Sequence, residues 1–190
     1  MFILYAVLIG LVVGFLVGGR PAGLADLHLR WSWVIVGGLF IQIVLFSDPV
    51  TERIGALGPP IYVASTAAVI AAIVANRAIT GMLVVAAGAA SNLAAIVANG
   101  GYMPASAAAA AALGGAPDPS TYSNSIFIAD PALAPLTDIF ALPGWVPFAN
   151  VFSIGDVIIG LGIAIVIVSA MRSRTAPHTP SVARNLPLPD

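Results

Sequence analysis

The chain has 190 residues, of which 59% are hydrophobic and only 8% charged, with a formal net charge of -1. A water-soluble domain carries about 25% charged residues, so this composition cannot cover an aqueous surface and excludes an ordinary cytosolic enzyme. All seven cations are Arg and they do not outnumber the acids, so no basic surface exists for nucleic acid. There is no Cys, which removes disulfides, thiolate metal sites and thiol redox chemistry.

A hydrocarbon core of about 30 Å takes roughly 20 apolar residues in helix. Five segments approach that length: residues 2–19, 31–47, 59–76, 80–99 and 154–171, with Asp156 the only charged residue in any of them. The expected fold is all-α, a polytopic membrane helix bundle over residues 1–174, with a long Pro-broken segment at 100–153 between spans four and five. A Pro-rich tail, 175–190, has no apolar periodicity and is expected to be a disordered cytoplasmic extension.

Span one has no preceding cation and no small-x-small cleavage site after it, which marks a retained span and not a signal peptide. Gly10, Gly14 and Gly18 leave one of its faces bare, ready for close packing against another span or against a second copy of the chain. Residues 20–30 form a short Leu-containing interfacial turn. Trp31 and Trp33 then stand at an expected membrane interface, which suits an indole with one apolar and one donating edge. Span two holds Gln42, span three Ser65 and Thr66, and span four Ser91 and Asn92; amides in lipid seek interhelical hydrogen bonds or line a ligand cavity. Pro59 and Pro60 suit the first turn of span three. Ala86, Ala87, Ala90 and Ala94 give span four a small face, and Asn99-Gly100-Gly101 supplies its left-handed cap.

Arg placement sets an orientation. Arg20, Arg30, Arg77, Arg172, Arg174 and Arg184 fall on one side of the five spans, Arg53 alone on the other, and the 54-residue connection 100–153 has no cation. Positive loops stay cytoplasmic, so a multi-pass plasma-membrane protein with its N-terminus outside and its C-terminus inside is expected.

The 100–153 segment changes character along its length. Met103–Leu113 is Ala-rich and suits a short helix; 114–125 is Gly, Pro, Ser, Thr and Asn, a loop. Residues 126–152 are apolar but carry Pro131, Pro135, Pro143 and Pro147, which preclude a sixth straight span. Such a segment lies on the outer face or dips back among the helices, with Trp145, Phe148 and Phe152 at headgroup depth. Asp118, Asp130, Asp138 and Asp156 gather on this side. Their spacing fits no calcium loop and no hydrolase pattern, so no metal and no cofactor is expected. Ser153 and Asp156 have capping-box spacing. Asp156 leads the candidate ligand-binding residues, because a carboxylate at the mouth of a span is costly without a reason; Asp138, Asn99, Asn92 and Gln42 complete the set.

Three motifs carry a resemblance. Asn99-Gly-Gly-Tyr-Met-Pro104 follows one span, Leu136-Thr-Asp138-Ile precedes Pro143, and Val151-Phe-Ser-Ile-Gly-Asp156 opens the last span. The chain, over about residues 1–170, resembles a family of small bacterial integral membrane proteins catalogued only as a domain of unknown function. The resemblance implies a multi-span membrane protein and supplies no activity, substrate or cofactor. Three functions remain in contention. One is a non-enzymatic accessory or structural subunit of a membrane assembly. Another is a protein that binds or transports a lipid or small amphiphile, with 126–152 as an outer lid. The third is an outer-face enzyme using Asp130, Asp138 or Asp156, against which the outer region offers no His, Cys or Lys as a partner. The expected partners are membrane lipid and other membrane subunits, or a second copy through Gly10, Gly14 and Gly18.

Overall fold

Each of the five apolar runs forms a helix, and most of these helices are shorter than their runs. The structure, a computed structural model, describes residues 2–112 and 125–173. The long helices are α1 (Phe2–Leu16), α3 (Ser32–Leu45), α5 (Gly58–Ala75), α6 (Met82–Ala98) and α8 (Ile154–Arg172). Shorter ones are α2 (Ala22–Ala25), α4 (Asp48–Ile54) and α7 (Ala107–Ala112). Among the described residues, only the continuous helical run Asp48–Ala75 and α8 are long and apolar enough to cross a membrane by length and composition; α1, α3 and α6 are apolar but have 10–17 residues. The tail, and all but the last residue of the loop expected at 114–125, lie outside the described residues; Ser125 opens a strand.

Glycine sets the shortening of α1. Gly18 takes a φ of +78° and the Gly19 N–H reaches back to the Gly14 carbonyl, which closes the helix three residues early. The same device ends α6 as its sequence suggested: Gly100 is left-handed at φ +72°, and the Gly101 N–H donates to the Ile96 carbonyl at 2.8 Å. The turn expected at 20–30 contains α2, whose Gly23 lies against the backbone of Ala170.

Packing runs in a single order. α8 packs on α1 and on α6, α6 also packs on α5, and α5 packs on α3. The edges of this row are therefore α1 and α3. Chain ends fix an alternating up-and-down arrangement. At one end Phe2 stacks on Phe152 at 4.5 Å and Gly101 lies against Pro59. At the other, the Arg20 N–H donates to the Met171 carbonyl, and Arg30 and Asn76 are hydrogen-bonded. A cluster of Ile73, Met82, Val85, Ala86 and Val166 joins α5, α6 and α8, and a second of Ala95, Ile96 and Met103 roots the cap on α6.

The small face of α6 is not the expected one. Ala87, Ala90 and Ala94 are exposed, and Ala86 alone of that set is buried. The close approach uses Gly88 instead: a Cβ there would lie 2.5 Å from the Gly155 carbonyl oxygen, and one on Gly162 would lie 2.6 Å from the Val85 nitrogen. Glycine on both helices lets the backbones meet, which alanine on one helix cannot do.

The described parts of the segment, residues 103–112 and 125–152, fold as a cap and not as irregular chain. Met103–Ala105 (β1) is a strand where a helix was expected from Met103 onward; the residue before Pro104 is driven to extended backbone. β1 pairs in parallel with β2 (Ser125–Phe127), with Met103 opposite Ser125 and Ala105 opposite Phe127. It also bridges to Asp138, whose N–H donates to the Pro104 carbonyl and whose carbonyl accepts from the Ser106 N–H. β3 (Phe140–Ala141) and β4 (Val151–Phe152) form a short antiparallel pair, and the Phe140 and Phe152 rings stack at 5.4 Å. The Tyr5 hydroxyl donates to the Pro147 carbonyl and ties α1 to this cap.

Candidate functional site

The three residues of greatest interest meet where α8 begins beneath the cap. Ser153 has extended backbone and N-caps α8, while Asp156 occupies the third helical position. Orphan N–H groups at a helix start need acceptors, and a full capping box supplies them. The Asp156 N–H donates to Ser153 Oγ at 3.0 Å, and the Ser153 N–H donates to Asp156 Oδ2 at 3.0 Å. The spacing of these two residues in sequence is borne out by this geometry.

Asn92 reaches the same cluster from α6, across 64 positions of sequence. Its Nδ2 donates to Asp156 Oδ1 at 2.9 Å, and its Oδ1 accepts from Ser153 Oγ at 2.7 Å. The amide can approach because Gly155 has no side chain; a Cβ there would collide with the Asn92 carbonyl oxygen. Both carboxylate oxygens, both ends of the amide and the hydroxyl are thus engaged, and Ser153 is completely buried. Among the described residues the hydroxyl has no imidazole beside it: His28 lies at the opposite end of the bundle, with Nδ1 on the Asp26 carbonyl. Chemically the arrangement is a clamp that joins α6, α8 and the base of the cap.

The other candidates are separate from it. Asn99 accepts from the Ala132 N–H and donates to the Ala132 carbonyl, both at 2.9 Å, so it fastens the cap to the end of α6. Asp138 is buried in the cap, and its backbone completes the bridge to β1. Gln42 lies between α3 and α5, with Nε2 at 3.2 Å from Thr66 Oγ1 and 3.4 Å from Ser65 Oγ, two contacts near the limit of a hydrogen bond. Both of those hydroxyls also donate to the Tyr62 carbonyl. Among the described residues no buried side-chain nitrogen or oxygen lacks a partner, and no group of three His, Cys, Asp or Glu is placed to hold a metal.

Two anchoring residues were not among the sequence candidates. Ser153 appeared there as a cap only, and its bond to Asn92 has no local signal. Asn76, at the end of α5, accepts from the Arg30 N–H and donates to the Arg30 carbonyl, each at 2.8 Å, and so holds the entry to α3. Its position at the end of an apolar run was visible; its partner 46 residues earlier was not.

Charge is segregated along the bundle. Arg20, Arg30, Arg77 and Arg172 sit at the end away from the cap together with Asp26, whereas Asp48, Glu52, Asp130, Asp138 and Asp156 sit at the cap end with Arg53. On the flank of α1 and α8 runs an open groove of about 730 Å³, with Ile9, Val13, Leu161, Ile165 and Val168 on its walls and Arg172 at one mouth. The Gly10 and Gly14 face of α1 is used inside the chain: a Cβ on Gly10 would lie 3.0 Å from the Ala164 Cα, and Gly14 abuts Met171. Both glycines are buried within the chain, and Gly18 at the end of the stripe meets nothing within 4 Å.

No curated protein and no solved structure matches the chain. A family match covers residues 26–168, from the end of α2 to the last turn of α8, and so takes in Asn92, Asn99, the cap, Ser153 and Asp156 while leaving out α1. The clamp and the cap are therefore features of the matched region, and the chain belongs to DUF5317, a family of unknown function.

Proposed function

We propose that this protein is a five-span integral membrane protein of the bacterial plasma membrane, with its N-terminus outside and its C-terminus cytoplasmic, acting as a non-enzymatic accessory or structural subunit of a membrane assembly. One observation carries the functional part. Five polar side chains between the helices are spent on holding the protein together: Gln42 on α5, Asn76 on the entry to α3, and Asn92, Ser153 and Asp156 on one another. A catalytic or transport site needs polar groups left over for a substrate.

The charge segregation supports the orientation. Four Arg at the end opposite the cap match the rule that cationic loops stay cytoplasmic. The short α1, α3 and α6 suit a bilayer thinned around the protein. Trp33 and Trp145 are 75% and 85% exposed at opposite ends of the bundle, as interfacial anchors would be.

Cys placed at position 120 reacts with an impermeant maleimide on intact cells under this reading, and Cys at position 173 does not. The opposite pattern overturns the orientation. For the role, extraction from native membrane in a mild detergent is decisive: a subunit migrates in a complex of fixed composition, and a chain that migrates alone sinks the accessory reading. A second reading, a lipid-binding protein, is favoured by the groove between α1 and α8, which lies on the flank of the bundle and not beneath 126–152.

A further inference from the structure

We infer that the groove between α1 and α8 is a binding site for one anionic phospholipid of the cytoplasmic leaflet, with the acyl chain along the helices and the phosphate at Arg172 and Arg20. The inference rests on the orientation proposed above. The walls carry only apolar side chains from Leu161 to Val168 on α8 and at Ile9 and Val13 on α1, and the one charged residue lining it, Arg172, stands at its end. From Leu161 to Arg172 the groove runs about 16 Å at 1.5 Å per residue. One leaflet of a 30 Å core is about 15 Å thick, so the length matches a chain from a single leaflet whose headgroup lies level with Arg172.

Charge complementarity selects the headgroup. Arg172 is exposed, and its guanidinium has no hydrogen-bonding or ion-pair partner among the described residues. Arg20 is exposed as well, and its N–H donates to the Met171 carbonyl at 2.7 Å, which brings a second guanidinium-bearing residue next to the first. Two planar forks suit a phosphate better than two point charges would. The negative end of the α8 dipole opposes an anion here, but its last carbonyls are occupied: Met171 by Arg20, and Ser169 and Ala170 by the Ser173 N–H. The substitution Arg20→Gln keeps that backbone bond, so it removes the charge without loosening the joint.

Native mass spectrometry of the full chain in detergent, titrated with phosphatidylglycerol or with phosphatidylcholine, tests the site. Wild-type protein is expected to retain one phosphatidylglycerol at least fivefold more strongly than phosphatidylcholine, and the pair Arg20→Gln with Arg172→Gln to lose that preference. Inorganic phosphate, which has no acyl chain, is expected not to displace the lipid. Val13→Trp, which fills the groove from an exposed position, is expected to weaken both lipids while leaving thermal stability unchanged. Equal retention of the two lipids by wild-type protein overturns the inference, as does full retention of phosphatidylglycerol by the Gln pair. So does a self-associated dimer that Val13→Trp dissolves, since a second copy would then fill the groove. Maleimide labelling at positions 120 and 173 in the same Gln variant separates this failure from a failure of the orientation.

Discussion

Exchanging the charge between Asn92 and Asp156 tests the clamp most directly. Asp156 accepts from Asn92 Nδ2 through Oδ1 and from the Ser153 N–H through Oδ2. In Asp156→Asn one acceptor becomes an amide donor. The new amide keeps its oxygen toward the Ser153 N–H, and Asn92 turns over to accept from the new NH2. Ser153 Oγ then accepts from Asn92 and gives its proton to the side-chain oxygen at position 156, which is already within 3.2 Å. Every group is satisfied, so the loss is confined to the carboxylate's interaction with the helix start, about 0.3–1 kcal/mol. Asn92→Asp behaves differently. It removes a charge-assisted bond, about 1.5–3 kcal/mol, and sets two carboxylates face to face, where repulsion at 4 Å is about 4 kcal/mol at an effective dielectric of 20. Partial relaxation leaves an expected cost of about 3 kcal/mol. For a chain of this size that lowers Tm by about 6–12 °C. The double variant restores one carboxylate and one amide with places exchanged, and is expected within about 1 kcal/mol of wild type. Thermal unfolding of the four proteins in one detergent gives the coupling, expected at about 3 kcal/mol in the restoring direction. A double variant no more stable than Asn92→Asp alone would refute the hydrogen-bond assignment. Should Asp156→Asn leave Tm unchanged yet strip a copurifying partner or lipid, Asp156 has a binding role that the clamp does not explain.

Two further outcomes follow from the packing. Gly88→Val drives a side chain into the α8 backbone, since even a Cβ would stand 2.5 Å from the Gly155 oxygen; overpacking of this kind costs about 1–3 kcal/mol, while Ala87→Val, one residue away and exposed, leaves Tm within error. Asn99→Ala removes both bonds to Ala132 and is expected to cost about 1–2 kcal/mol. Its effect is confined to the cap, so hydrogen exchange should quicken around 130–139 while α5 and α8 stay protected; uniform quickening would show that the cap is integral to the bundle.

Helix placement was legible from the sequence because the apolar runs are long and their ends carry glycine, proline and capping residues whose effects are local. The capping box of Ser153 and Asp156, the double-glycine end of α6 and the prolines in the first turn of α5 all follow from neighbours a few residues apart. Membership of a family of unknown function was expected from the sequence as well, and the family match over residues 26–168 bears it out. What the sequence left open depends on which helices touch. Ala87, Ala90 and Ala94 looked like a packing face because small residues permit close approach, but permission is not contact: Gly88 meets Gly155, and the alanines are exposed. The cap strands escaped notice since Met103–Ala105 and Ser125–Phe127 are three residues each and are held by pairing with distant chain, not by a period of their own. Asn92 could be placed on α6 from the sequence, but its partners on α8 could not, for a side-chain amide bonds to whatever the tertiary packing puts within 3 Å. Local backbone chemistry therefore determined where each helix begins and ends, and the order α1–α8–α6–α5–α3, set by where glycine lets two backbones meet, decided which polar groups became a clamp.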